Sequence, residues 1–140
     1  MEKNIRRKIM ILSRKIVASV GNVLSKYDIT VAEQPFFMVI QHHKNITQEE
    51  LTSIVCVDKA ATIRALKSLE KKGFLVRVKD KNDRRQNRVC ATEKAQNLFK
   101  EVNEELIHFN ELLTKNISLE EIDIIYKGLE EMEKNISKKS

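Results

Sequence analysis

The apolar positions of this chain keep a helical rhythm, break it once for a short alternating stretch, and then resume it. Ile5, Ile9, Leu12, Ile16, Val20, Val23 and Tyr27 recur at steps of four and three, which puts them on one stripe of a helix over about residues 3–26. Such a stripe needs a partner. Thr30 followed by Glu33 has the spacing of a reciprocal capping box, and Pro35 is tolerated in the first turn that follows. This predicts a second helix over about residues 31–43, with Phe36, Phe37, Val39 and Ile40 on its buried side. Asn45 and Ile46 read as a short extended link, after which Thr47 and Glu50 repeat the box and open a helix with Leu51 and Ile54 facing inward. Cys56 and Val57 form a turn, Asp58 caps the next helix, and Gly73 supplies the left-handed residue that stops it.

The alternating stretch covers residues 74–91, FLVRVKDKNDRRQNRVCA, in which two runs of period two flank a polar tip of Asp80, Lys81, Asn82, Asp83, Arg84 and Arg85. Two strands and a charged wing are expected there. Thr92 then caps a long helix to about Lys115 with Leu98, Val102, Leu106, Phe109 and Leu113 as its stripe. Ser118 and Glu121 make a third capping box before a last helix carrying Ile122, Ile125, Tyr126, Leu129, Met132 and Ile136. The expected fold is mainly α with a small β wing (α+β): four helices, a two-stranded wing and two helices. Residues 46–91, helix, turn, helix and wing, are its centre.

The helix after Asp58 has two faces with different chemistry. Thr62, Leu66 and Leu69 lie on one side and should enter the core, whereas Ala60, Arg64, Lys67 and Ser68 lie opposite, with Ala61 and Ile63 on the flanks. A small residue followed by two cations and a hydroxyl permits close approach to a major groove.

Charge sharpens that expectation. The 140 residues hold 26 Lys and Arg against 20 Asp and Glu, and residues 44–91 hold twice as many basic as acidic groups, while residues 92–140 are net acidic. A polyanion would meet the front and centre of the chain; the tail suits packing or solvation. The length fits one domain. The apolar run Ile9 to Leu12 is too short for a signal peptide or membrane span, and Cys56 and Cys90 form no CxxC pair, so a cytoplasmic protein is expected.

Catalytic patterns are missing from the sequence: it has no GxGxxG, no GKS/T phosphate loop and no HExxH, and an enzyme is not expected. No cofactor is implied. Adjacent His42 and His43 point about 100° apart on a helix and do not readily share an ion, so no metal site is assigned. Nothing adjacent to Cys56 or Cys90 lowers a thiol pKa. Met10, Phe36, Phe37 and His42 suit a core, or the lining of an effector pocket.

The segment from Ile46 to Ala95 resembles the core of the MarR family of winged-helix transcription regulators, with weaker similarity over nearly the whole chain. The resemblance rests on LEKKG at residues 69–73, Arg77, the DxxDRR tip at residues 80–85 and the Thr92-Glu93-Lys94 helix start, in that order and spacing. It implies a single MarR-like domain over residues 1–140, with DNA binding in residues 30–91 and dimerisation through residues 1–27 and 92–140. It further implies a homodimer on double-stranded DNA, a repressor reading a pseudopalindrome and released by a small-molecule effector. Carried over by position, Ala60, Ala61, Ile63, Arg64, Lys67 and Ser68 match groove-facing residues. Arg85 matches a minor-groove probe and Asp83 its positioning carboxylate. Thr47 and Gln48 match a phosphate-binding helix start, and Arg77, Lys79, Lys81, Arg84 and Arg88 add backbone contacts. The dimer stripe would comprise Ile5, Ile9, Leu12, Ile16, Leu106, Phe109, Leu113, Ile122, Ile125, Tyr126 and Leu129. Thr62 departs from the family's usual aliphatic residue, and Ile63 stands where a hydroxyl is frequent. The alternative is a winged-helix protein-interaction module that docks an acidic partner without specific DNA binding.

Overall fold

The computed structural model describes residues 3–79, 82 and 87–137. Helix α1 spans Ile5–Leu24, capped by the Asn4 side chain, and a 3-10 turn over Ser25–Tyr27 ends at Asp28 in a left-handed conformation. Helices α2 (Gln34–Ile40), α3 (Gln48–Val55) and α4 (Lys59–Lys71) follow, then strands β2 (Leu75–Lys79) and β3 (Asn87–Ala91), and helices α5 (Glu93–Leu113) and α6 (Leu119–Ser137). The residues Ile46–Thr47 form a strand of their own, β1.

That strand adds to the expected two-stranded wing, formed by β2 and β3, where only an extended link was expected. β1 pairs antiparallel with β3, Ile46 opposite Val89, so the sheet has the order β1-β3-β2. Two residues are too few to show a period in sequence; β1 exists because β3 offers it a ladder. The β2–β3 register, Leu75 opposite Ala91 and Val76 opposite Cys90, places the alternating run with one face inward.

All three capping boxes form. Thr30 and Glu33 exchange side-chain to backbone hydrogen bonds at 2.9 and 3.2 Å, Thr47 and Glu50 at 3.2 and 3.1 Å, and Ser118 and Glu121 at 3.0 and 3.1 Å. Around the first box the chain makes a turn before regular helix starts at Gln34, three residues later than expected. Pro35 explains the delay: it has no N–H to give to the carbonyl four residues back. At its other end α4 closes as a Schellman motif. Phe74 N–H donates to the Leu69 carbonyl at 2.9 Å and Gly73 N–H to the Glu70 carbonyl at 3.0 Å, with Gly73 at φ +84°.

The chain falls into two compact units, one reaching to Leu106 and one beginning at Ile107. The first has a core of Leu24, Phe36, Phe37, Ile40, Leu51, Leu66, Leu69, Phe74, Val89 and Val102, with Phe37 and Phe74 packed edge to face at 5.5 Å. In the second, α6 buries no residue within the chain. Ile54, expected inward, is 50% exposed, because an eight-residue helix buries a narrow stripe and Leu51 occupies it. Among the described residues, no helix is long and apolar enough to cross a membrane.

Candidate nucleic-acid interface

The helix-turn-helix is set by short-range chemistry at the turn. Cys56 ends α3 in a left-handed conformation, its N–H donating to the Thr52 carbonyl at 3.0 Å. Asp58 starts α4 by accepting the Ala61 N–H at 2.7 Å. Thr62 then faces the core at zero exposure. Its hydroxyl lies 2.8 Å from that of Thr52 and 3.0 Å from the Asp58 carbonyl, so the polar group is satisfied inside. Where an aliphatic residue would only fill space, this threonine ties α3 to α4.

With Thr62, Leu66 and Leu69 fully buried, the other side of α4 is turned out. Ala60, Arg64 and Lys67 are exposed, and Ala61 and Ile63 are half-buried on the flanks. Exposed Lys71 extends the series to steps of four, three and four, a run that the sequence reading left out and that helical spacing alone reveals. The resulting stripe is about 16 Å long at 1.5 Å per residue. Lys59 is exposed at its start.

Other expected contacts are engaged within the protein. The Thr47 hydroxyl donates to Glu50 Oε1 at 2.8 Å and its N–H goes to the same oxygen at 3.2 Å. The capping box thus engages both of its protons within the chain. Glu50 is held below the usual carboxylate range by these Thr47 hydrogen bonds. Gln48, beside it, is half-buried. Ser68 is half-buried, beside the Glu33 carboxylate. Arg77 Nε pairs with Glu70 at 3.1 Å, and Arg88 donates to the Asn45 carbonyl at 2.7 Å with Glu50 4.0 Å away. Lys79 is exposed. Lys81, Asp83, Arg84 and Arg85 lie outside the described residues.

The residues expected to line an effector pocket differ in their surroundings. Phe36 and Phe37 are closed into the core at 1% and 0% exposure, whereas Met10 is 45% exposed on α1 and the His42 ring meets Phe99 edge-on at 5.4 Å. The Cys90 thiol donates to Asn45 Oδ1 at 2.8 Å, and Cys56 is exposed at its cap. Among the described residues, no cluster of three or more His, Cys, Asp or Glu is placed to hold a metal ion.

The residues assigned to dimerisation are open or half-open in the single chain. Ile5, Ile9, Leu12, Leu113, Ile125, Tyr126 and Leu129 are exposed, and Ile16, Leu106, Phe109 and Ile122 are half-buried.

Known proteins share both sequence and fold with this chain. A model of the MarR family matches residues 37–86. An uncharacterized HTH-type transcriptional regulator of Bacillus subtilis, YybA, is 27% identical over 136 residues, 96% of this chain and 90% of its own length. The crystal structure of a MarR transcriptional regulator from Methanosarcina mazei is 30% identical with a TM-score of 0.81, covering 94% of each chain. A MarR-family regulator from Listeria monocytogenes, crystallised in complex with 26mer DNA, is 25% identical with a TM-score of 0.87, covering 96% of this chain and 90% of that one.

Proposed function

This chain belongs to the MarR family of transcriptional regulators, and from that premise we propose that it is a homodimeric repressor that reads a pseudopalindromic operator in double-stranded DNA and is released by a small molecule. The observation that carries the reading is the division of α4: Thr62, Leu66 and Leu69 are wholly buried, and the opposite stripe of Ala60, Arg64, Lys67 and Lys71 is open and cationic. A helix so anchored can enter a major groove without disturbing the core. Ala60 allows close approach, Arg64 is placed to read guanine bidentately, and Lys67 and Lys71 meet phosphates. The Listeria relative in complex with DNA supports the same use.

Residues 30–91 form the DNA-binding region in this reading, with residues 1–27 and 92–140 forming the dimer. The large apolar side chains left open on α1 and α6 support a second copy as their cover, since isolated monomers rarely expose so many. Two copies of α4 would then fall in successive major grooves about 34 Å apart. Repression follows from occluding a promoter.

Selection of genomic fragments by the purified protein, then footprinting with and without phenolic ligands, zinc and peroxide, tests each part. A protected pseudopalindrome that one ligand class exposes is the expected result. No enrichment over random fragments at low salt overturns the reading in favour of a protein-interaction module. On the operator so found, Arg64→Ala is expected to cost about 1–3 kcal/mol of discrimination between operator and random duplex. Equal loss on both would make Arg64 a phosphate contact.

A further inference from the structure

The C-terminal end of α4 is gripped by one buried carboxylate from another part of the chain. Glu33, in the turn before α2, is 3% exposed. It accepts Lys72 Nζ at 2.7 Å and the Thr30 N–H at 2.9 Å, and the half-buried Ser68 side chain lies beside the same group. Burial works to raise the pKa of this carboxyl, but the hydrogen bonds from Lys72, Ser68 and the Thr30 N–H outweigh it and leave the group below the usual carboxylate range. It is therefore a charged group that the fold has enclosed with its partners.

Ser68 lies in the last turn of α4 and Lys72, four residues on, caps it, so the two lie one above the other on a single face. Holding two points on one face resists rotation of the helix about its axis as well as tilt. Neighbouring elements add to the grip. Lys94 Nζ donates to the Lys72 carbonyl at 2.6 Å, the Thr92 hydroxyl donates to the Gly73 carbonyl at 2.6 Å, and Asp28, mostly exposed, stands 3.8 Å from Lys72 Nζ. Of these, Glu33 holds the Lys72 side chain most closely, at 2.7 Å against 3.8 Å for Asp28, and it does so from the buried side.

We propose that Glu33 is the positioning residue of the recognition helix: through Ser68 and Lys72 it sets the rotation of α4, and with it base discrimination, without touching DNA. The inference rests on the reading of α4 as the groove-entering helix. An amide in place of the carboxylate keeps the shape but offers one acceptor oxygen where the carboxylate has two, and turns N–H groups toward an ammonium. Lys72 is then free to swing to Asp28 on the solvent side, and the last turn of α4 loses its inner anchor. Phosphate contacts tolerate such a rotation, because they are point-charge attractions; bidentate base contacts do not.

The test uses the full chain with Glu33→Gln, on the selected operator and on a random duplex of equal length over a range of salt. Operator affinity is expected to fall about tenfold, the size of one misaligned bidentate base contact. Random-duplex affinity and the salt slope should stay as they are, since the number of phosphates neutralised is unchanged. Ser68→Ala, which keeps the Glu33–Lys72 pair, should show a smaller loss of the same kind, and it carries the test if Glu33→Gln does not fold. Parallel loss on both duplexes, or an unchanged operator affinity, overturns the proposal. Amide exchange of residues 69–73 without DNA gives an independent readout: faster exchange in the variant, with α3 unaffected, is expected. Unchanged protection overturns the positioning role even if the wild-type protein prefers no fragment, a result that would by itself sink only the regulator reading.

Discussion

The reading head and the last helix are built from similar amphipathic patterns but use them differently. In α4 the stripe Thr62, Leu66 and Leu69 is fully buried by α3, α2 and the sheet, whereas in α6 the stripe that ends at Ile136 is open, Ile136 itself being 84% exposed. Periodicity states that a helix has an apolar face. It does not state which molecule covers it. The head finds its cover in neighbouring elements of the same chain, whereas α6 buries no residue, which is the ground on which a dimer is proposed.

Deleting packed atoms separates the two regions most sharply. Leu66→Ala is expected to cost about 2–5 kcal/mol, read as the shift of a urea unfolding curve, because a cavity opens in a filled core. Leu129→Ala on α6 should leave the unfolding of the single chain within about 0.5 kcal/mol and act instead on association, read by sedimentation at several concentrations. A Leu129→Ala loss as large as that of Leu66→Ala would break the contrast.

Acid should separate the regions again, through two capping carboxylates with the same sequence spacing. Glu33 and Glu121 are both held below the usual carboxylate range, Glu121 by hydrogen bonds from the Ser118 backbone and side chain alone. A group whose pKa is lower in the folded state stabilises the fold above its unfolded pKa, and that stabilisation is lost as pH falls through the folded value. The unfolding midpoints of wild type and Glu33→Gln should therefore lie apart at neutral pH and converge as the pH falls through and below the usual carboxylate range. The corresponding gap for Glu121→Gln should be much smaller, since its carboxylate is exposed and water can replace what it loses. Equal gaps would mean that burial of Glu33 adds nothing to its grip.

The smallest effect tests the cap itself. Ser118→Ala should cost about 1 kcal/mol, seen as faster amide exchange in the first turn of α6 with the head unchanged.

Local rules account for what could be read in advance. Each capping box joins residues three apart, and the Asp58 cap and the Gly73 stop also act within one turn, so the helix starts and the α4 stop needed no knowledge of the rest of the chain. The order of helices and the wing strands followed from period, and the outward stripe of α4 followed from the inward one. Where a boundary shifted, as at Gln34, the cause was also local, in the missing N–H of Pro35.

Contacts between distant residues decided the remainder. β1 depends on β3, which lies more than 40 residues away, and Arg88 and Cys90 are drawn to Asn45 rather than outward. Glu33 appeared in sequence as the third position of a capping box. The fold gave the same carboxylate to Lys72, 39 residues on, and set it beside Ser68, which face geometry had assigned to the groove. Spacing along a helix fixes which side chains share a face, because the backbone repeats. Which of them water, another element or a ligand will occupy is settled only when the elements pack, because a buried polar group must take whatever partner the packing brings within reach.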